Sequence, residues 1–249
     1  MRKIKLLSLL LFSFLLLQSC QKEASFNDDN NQQNFTVDAN GNLSLSSDAD
    51  GAFYAIKQLL YDSYSGNTND EFQYAMAWFG SPTSMKDGGD VTVNTFPVDF
   101  IAGVNYYVYV GFDDLYPTNT VAWTASGNSG NSIQPINHSD NTTFPQGGYF
   151  TLPAKINISN SFTLNYTATT GNVAGIVYEV IGNKGSKRKA VAGNSSSVTF
   201  SAAELQEVAF PTDQIGFIVM PVSYTTATYN GKKYYFVKQT EHMRETETL

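Results

Sequence analysis

The 249-residue sequence has one cysteine, Cys20, two histidines, His138 and His242, and only 15% charged residues. One cysteine excludes an intramolecular disulfide framework and any metal site built on a cysteine cluster. Two histidines far apart in the chain leave little material for a zinc site or a histidine-activated nucleophile, so no metal and no cofactor are expected. Basic residues are also scarce, 15 Lys and Arg against 22 Asp and Glu, for a formal net charge of -7. Such a chain lacks the electrostatic footprint of a nucleic-acid binder. Long apolar runs are scarce too. The main one, Leu6 to Leu17, spans about twelve residues and is interrupted by Ser8 and Ser13, well short of the ~20 that a membrane-spanning helix needs. What the sequence does have is 42% hydrophobic and 14% aromatic residues, enough to build a core in a chain of this length.

The apolar run has a context. Arg2, Lys3 and Lys5 precede it, and Gln18, Ser19 and Cys20 follow it. A basic start, an apolar middle and a small residue before the cut are the parts of an export signal. Leu17-Gln18-Ser19-Cys20 resembles the lipobox of bacterial lipoproteins, and this resemblance implies cleavage before Cys20 and lipidation of its thiol. Several acyl chains at ~0.8 kcal/mol per buried CH₂ make a stable anchor where one chain is marginal. By the same resemblance, Gln21 after the cysteine implies the outer membrane, facing either the periplasm or the cell surface. Residues 21 to 34 are mostly amides and acids with a single aromatic. They cannot bury enough surface to offset their ordering entropy and read as a tether.

From Phe35 onward apolar residues recur at every second position in short runs bounded by Gly, Asn, Asp and Pro, the pattern of half-buried strands. Phe72, Tyr74, Met76 and Trp78 share one face of such a run, and Tyr106, Val108 and Val110 share one face of another. Residues 215 to 224 are apolar on both faces and read as a central strand. Asn230-Gly231 predicts a type I′ hairpin turn, because both residues accept a positive φ. Ser201 and Glu204 form a capping box that predicts one or two helical turns. Residues 52 to 64 fit a strand or a helix, with strand preferred. The sum is an all-β fold of two tandem antiparallel β-sandwiches, separated near Pro145 to Pro153.

Two resemblances sharpen that expectation. Phe162 to Tyr166, Val198 to Leu205 and Gly231 to Phe236 look like a fibronectin-III-like module. Ala77 to Gly80, Gly89 to Asn94 and Val121 to Trp123 are similar to Ig-like modules of Bacteroidota-type lipoproteins. They imply a lipoprotein signal at 1–19, a lipidated cysteine and tether at 20–34, an Ig-like domain at 35–149 and a fibronectin-III-like domain at 150–249. They bring no catalytic residues with them.

Few residues fit a known chemistry. Gly127 to Gly130 misses the G-x-S-x-G spacing of a nucleophile elbow. Ser186-x-x-Lys189 and Ser139-Asp140-Asn141 match two serine acyl-transferase motifs, but in the reverse order and without a K-T-G triplet. Asp113-Asp114 and the pair Asp87 and Asp90 are ordinary turn acids, although two carboxylates could in principle run glycoside hydrolysis. Asp48 to Gly51 echoes part of an EF-hand loop but puts Lys57 where a bidentate Glu is needed. A loop calcium on Asp113, Asp114 and backbone carbonyls is the one metal alternative. Lys184, Lys187, Arg188 and Lys189 read as a solvated hairpin tip. Trp78 and Trp123 read as core anchors. Tyr107 and Tyr109 stand opposite the Tyr106, Val108 and Val110 face and are expected to point outward, as candidate ligand-binding residues.

The expected function is therefore a lipid-anchored, non-catalytic cell-envelope protein with a structural or adhesive role. Its partners are the membrane, through the anchor, and a protein or glycan still to be identified. One alternative is a glycan-binding accessory lipoprotein using Tyr107 and Tyr109, and a second is a hydrolase with a carboxylate site.

Overall fold

A computed structural model describes residues 36–37, 43–44, 49–61, 68–81, 84–111, 114–171 and 173–249. Cys20, the export-signal segment and the tether lie outside the described residues, as do Asp48 and Asp113. In chain order the strands are β1 (Thr36–Val37), β2 (Leu43–Ser44), β3 (Gly51–Tyr61), β4 (Thr68–Ser81), β5 (Ser84–Lys86), β6 (Val91–Val93), β7 (Phe96–Ile101), β8 (Tyr106–Gly111) and β9 (Val121–Ala125). They continue with β10 (Ile136–Asp140), β11 (Lys155–Ile156), β12 (Phe162–Asn165), β13 (Gly175–Gly182), β14 (Gly185–Ala192) and β15 (Ser197–Phe200). The helix α1 (Ala202–Val208) comes next, and the chain closes with β16 (Gln214–Tyr229) and β17 (Lys232–Thr248). The protein is mostly β, with one short α-helix among the described residues.

The local signals appear as read. Ser201 caps α1, accepting from the Glu204 N–H while the Glu204 side chain returns to the Ser201 N–H. Asn230 and Gly231 take φ of 50° and 77° between β16 and β17. Residues 51 to 61 form a strand rather than a helix. Their neighbours on both sides are strands, and Phe53 and Ala55 pack on one face while Ala52 and Ile56 pack on the other.

The long-range arrangement differs from two separate sandwiches. One mixed sheet runs through both halves in the order β10-β9-β6-β7-β8-β4-β3-β17-β16-β13-β14. The join is the parallel pairing of β3 with β17, from Gly51 opposite Tyr234 to Leu60 opposite Met243. The boundary near residue 149 thus divides neither the sheet nor the cores, because β17 gives Tyr234 and Phe236 to the first core.

Both cores lie on the same side of the sheet. Side chains alternate along a strand, and directly paired residues share a face, so Phe53, Phe236, Val219 and Phe217 all project to one side. Beyond the tight turn at Asn94 and Thr95, which both have positive φ, β6, β9 and β10 fold back over that side. There Trp123 sits 5.2 Å from the Phe53 ring and His138 stacks 3.5 Å from Phe236. This first core includes Val91, Val93, Tyr116 and Phe144. The second core places β12, β15 and α1, through Leu164, Phe200, Leu205 and Val208, against Tyr178, Val180, Phe217 and Val219.

Candidate functional site

Tyr107 and Tyr109 are turned to the core side of β8. Tyr107 is 1% exposed, and Tyr109 packs against the same first core. The reason lies in the facing strand: Tyr107 pairs with Ala77 and Tyr109 with Ala75, and these two small residues leave room for the rings. Inside, the Tyr107 hydroxyl accepts from the Gly88 N–H at 2.9 Å and donates to Asp87 Oδ1 at 2.6 Å. Burial, with Asp87 adding to it, pushes its pKa up. The opposite face carries Tyr106, Val108 and Val110, and Val110 is exposed. Neither expected ligand-binding tyrosine is therefore an outward stacking platform. Of the two tryptophans, Trp123 is a core anchor of the first core, and Trp78 is buried on the other side of the sheet.

Asp87 serves this turn, accepting from Tyr107, the Gly89 N–H and Asn128. These bonds, Tyr107's first among them, lower its pKa. Asp114 accepts from Gln73. The basic cluster is not one solvated tip. Lys187 pairs with Glu207, Lys189 with Glu204 at 2.9 Å, and Lys184 donates to the Gln206 carbonyl, all at α1. Arg188 points the other way and pairs with Glu179 on β13 at 2.7 Å. Its position within β14 puts it on the opposite face from Lys187 and Lys189.

Between the two cores a polar seam crosses the covered face of β17. Lys238, 1% exposed, donates to the carbonyls of Asn119, Asp140 and Thr142 at 2.7, 3.1 and 2.6 Å and pairs with Asp140 at 3.3 Å. Burial lowers its pKa, and Asp140 opposes that shift. Thr240 donates to the Pro145 carbonyl. His242 follows, with Tyr61 OH 2.7 Å from its Nδ1, the Tyr149 ring 4.7 Å away and Gly148 at φ 82° against the ring. Burial holds the His242 pKa at about 4, helped by the nearby Arg244 charge and opposed by a bond with Gly147. The connector from Asp140 to Tyr149 is thereby fastened to β17 along its length.

The other face of the sheet is apolar, with Ile56, Trp78, Met76, Val237, Ile218, Met220 and Val177. Among the described residues its smaller clusters are made almost entirely from the sheet's own strands, and α1 and the β12–β15 pair pack on the opposite side. Within it sits a buried polar group. Glu241 accepts from Gln58 Nε2 at 2.8 Å, from Tyr74 OH at 2.6 Å and from Gln239 Nε2 at 2.7 Å. Burial raises its pKa; the Tyr74 and Gln239 bonds and Arg188 lower it, and the Glu179 charge raises it further. Glu179 gives Oε2 to Arg188, while its Oε1 has no hydrogen-bond partner. Sequence reasoning passed over this group. Glu179 is the lone charge inside the apolar run of β13, which was a usable signal, whereas Glu241 is one of several charges in a polar-looking C-terminal segment.

No protein-family model matches the chain, and no curated protein matches it. Among solved structures, the crystal structure of Dpr11 IG1 bound to DIP-gamma IG+IG2 aligns with 78% of this chain and 98% of that chain, at 9% identity and a TM-score of 0.21. A likeness of that size assigns neither a topology nor a role.

Proposed function

We propose that the chain is a lipid-anchored cell-envelope protein with a non-catalytic structural or adhesive role at the outer membrane. The observation that carries this reading is the sequence Met1 to Cys20, in which the chain's single cysteine stands at the end of a basic, apolar and then small-residue segment. The β-rich build supports it. Each core is a two-layer packing against one wall of the long sheet, the layered arrangement that Ig-like and fibronectin-III-like modules share. Lys184, Lys187, Arg188, Lys189, Asp87, Asp114 and Asp140, each weighed as a candidate for chemistry, are held in ion pairs or hydrogen bonds within the fold. The glycan-binding alternative loses its carrier with Tyr107 inside the first core.

Replacing Cys20 with Ser tests the anchor. The variant should move from the membrane to the soluble fraction on cell fractionation, and its mass should lack both the acyl groups and signal cleavage at Cys20. Unchanged membrane association would overturn the reading.

A further inference from the structure

We infer that the face of the sheet opposite the two cores is a docking surface for the chain's own residues 35–48, which form a clasp from β14 to the start of β3. The need for a cover shows in the exposure along that face. Ile56, Trp78, Val222, Val237, Ile218 and Met220, on β3, β4, β16 and β17, are 2 to 8% exposed, although β6, β9, β10, β12, β15 and α1 pack on the opposite side. At β7 and β8 the same face is wet: Ile101, paired with Tyr106, and Val110, paired with Tyr74, are 40% and 52% exposed. Neighbours within one sheet are alike at both places and do not account for the contrast. A second layer that stops before β7 and β8 does.

Both ends of the clasp are fixed. At one end β1 lies against β14 but is paired with β2 in a two-stranded sheet of its own, so it packs over β14 instead of extending its edge. The core side of β14 is taken by α1, through the pairs of Lys187 with Glu207 and Lys189 with Glu204. On its other side Ser186, Ala190 and Ala192 are small enough for a second backbone to approach. At the far end Ala49 packs on the cluster of Ala52, Trp78 and Val237. Chain length fits the path between. From β14 to β3 is four strand spacings, about 19 Å, of which the β1–β2 pair takes about 5 Å. The five residue steps from Ser44 to Ala49 reach about 17 Å when extended, which leaves little slack for a detour around the sheet. The sequence fits as well. Apolar residues alternate at Phe35, Val37, Leu43 and Leu45, and the pairing of Val37 with Leu43 places these positions on one side of the β1–β2 pair. A two-stranded pair is marginal in water on its own and needs an apolar wall, which this face of the sheet offers. The tether before Phe35 then leaves the body beside β14.

The clasp does not depend on lipidation of Cys20. It is tested on the full chain by hydroxyl-radical footprinting, with Trp78, Met220 and Met243 reporting the clasped face and Trp123 the first core. Val37→Asp combined with Leu43→Asp should raise oxidation of the three reporters several-fold and leave Trp123 unchanged. Thr36→Asp combined with Ser44→Asp, on the other side of the β1–β2 pair, should change none of them. Unchanged protection in the first variant, or equal loss of protection in both, overturns the proposal. A second measurement leaves the clasp in place. With the photoreactive residue benzoylphenylalanine substituted for Phe35, irradiation should join residue 35 to β13, β14 or β16 of the same chain. Cross-links to the first core, to α1 or to another copy of the chain, or none at all, would overturn the proposal.

Discussion

The two faces of the long sheet are built from the same strands yet differ in kind. On one face Phe53, Phe79, Phe236, Phe217 and Tyr178 are at most 1% exposed beneath second layers supplied by β6, β9 and β10 at one end and by β12, β15 and α1 at the other. On the other face Ile56, Met76, Trp78, Ile218 and Met243 are 4 to 8% exposed, their clusters among the described residues are formed mainly by the sheet's own strands, and charged groups sit among them. The difference shows that alternation sets which residues share a face but not which face receives a second layer. That choice depends on where distant segments return. In β8 it inverted the expected orientation: Val108 packs on the small Ile56, Tyr74 and Met76 cluster and Val110 is exposed, while the side with two tyrosines meets alanines, an inner hydrogen-bonding site and the returning strands.

The largest expected effect tests this contrast directly. Phe53→Ala should cost about 3–5 kcal/mol, in the range for large-to-small changes in a closed core. Ile56→Ala, three residues on and facing the other way, should cost about 2 kcal/mol, at the low end of its class. Denaturant melts of both variants check the order, and equal losses would erase the distinction between the faces.

Next comes the seam between the cores. Lys238→Met leaves Asp140 buried without its cation and frees three backbone carbonyls, for an expected loss of about 3 kcal/mol. If the connector is held mainly at this point, proteolysis between Asp140 and Tyr149 should accelerate in the same variant. A stable variant with an uncut connector would mean that the seam contributes little.

The pH dependence then separates the faces by sign. His242, on the covered face, has a folded pKa of about 4 against an unfolded value near 6.5. Its contribution is present above the unfolded value and is lost as pH falls through 6.5 toward 4, up to about 3 kcal/mol. His242→Gln should flatten that part of the stability curve. Glu241, on the other face, has a raised folded pKa, so its contribution is present below the unfolded value and is lost as pH rises through the folded one. Glu241→Gln should remove that loss, so that the variant gains on the native chain as pH rises toward neutrality. This is the smallest of the effects, and stability measured at pH 4.5 and pH 7.5 reads its direction.

Much of the local structure was legible because its causes are local. The φ > 0 demand at Asn230-Gly231, the reciprocal capping of Ser201 and Glu204, the two-residue alternation of β4 and the continuous apolar run of β16 all act within a few residues. The parallel pairing of β3 with β17 was not legible, because it joins segments about 180 residues apart and parallel pairing has no turn signal to announce it. The candidate site shared that fate. Glu241 and Glu179 fall on one face only once β13, β16 and β17 are in register, and in the sequence Glu241 looks like one more solvated charge. Lys238 was hidden for the same reason: its cage is made of backbone carbonyls from residues 119 to 142, which no side-chain pattern reports.

One sheet joins both halves, so they should unfold together. Hydrogen exchange read by mass spectrometry across a denaturant series tests it most directly, with β9 reporting the first half and β13 the second. Both should lose protection at the same denaturant concentration, with β3 and β17 in step. Two separate transitions, with β13 protected after β9 has opened, would contradict it and restore the picture of two independent tandem domains.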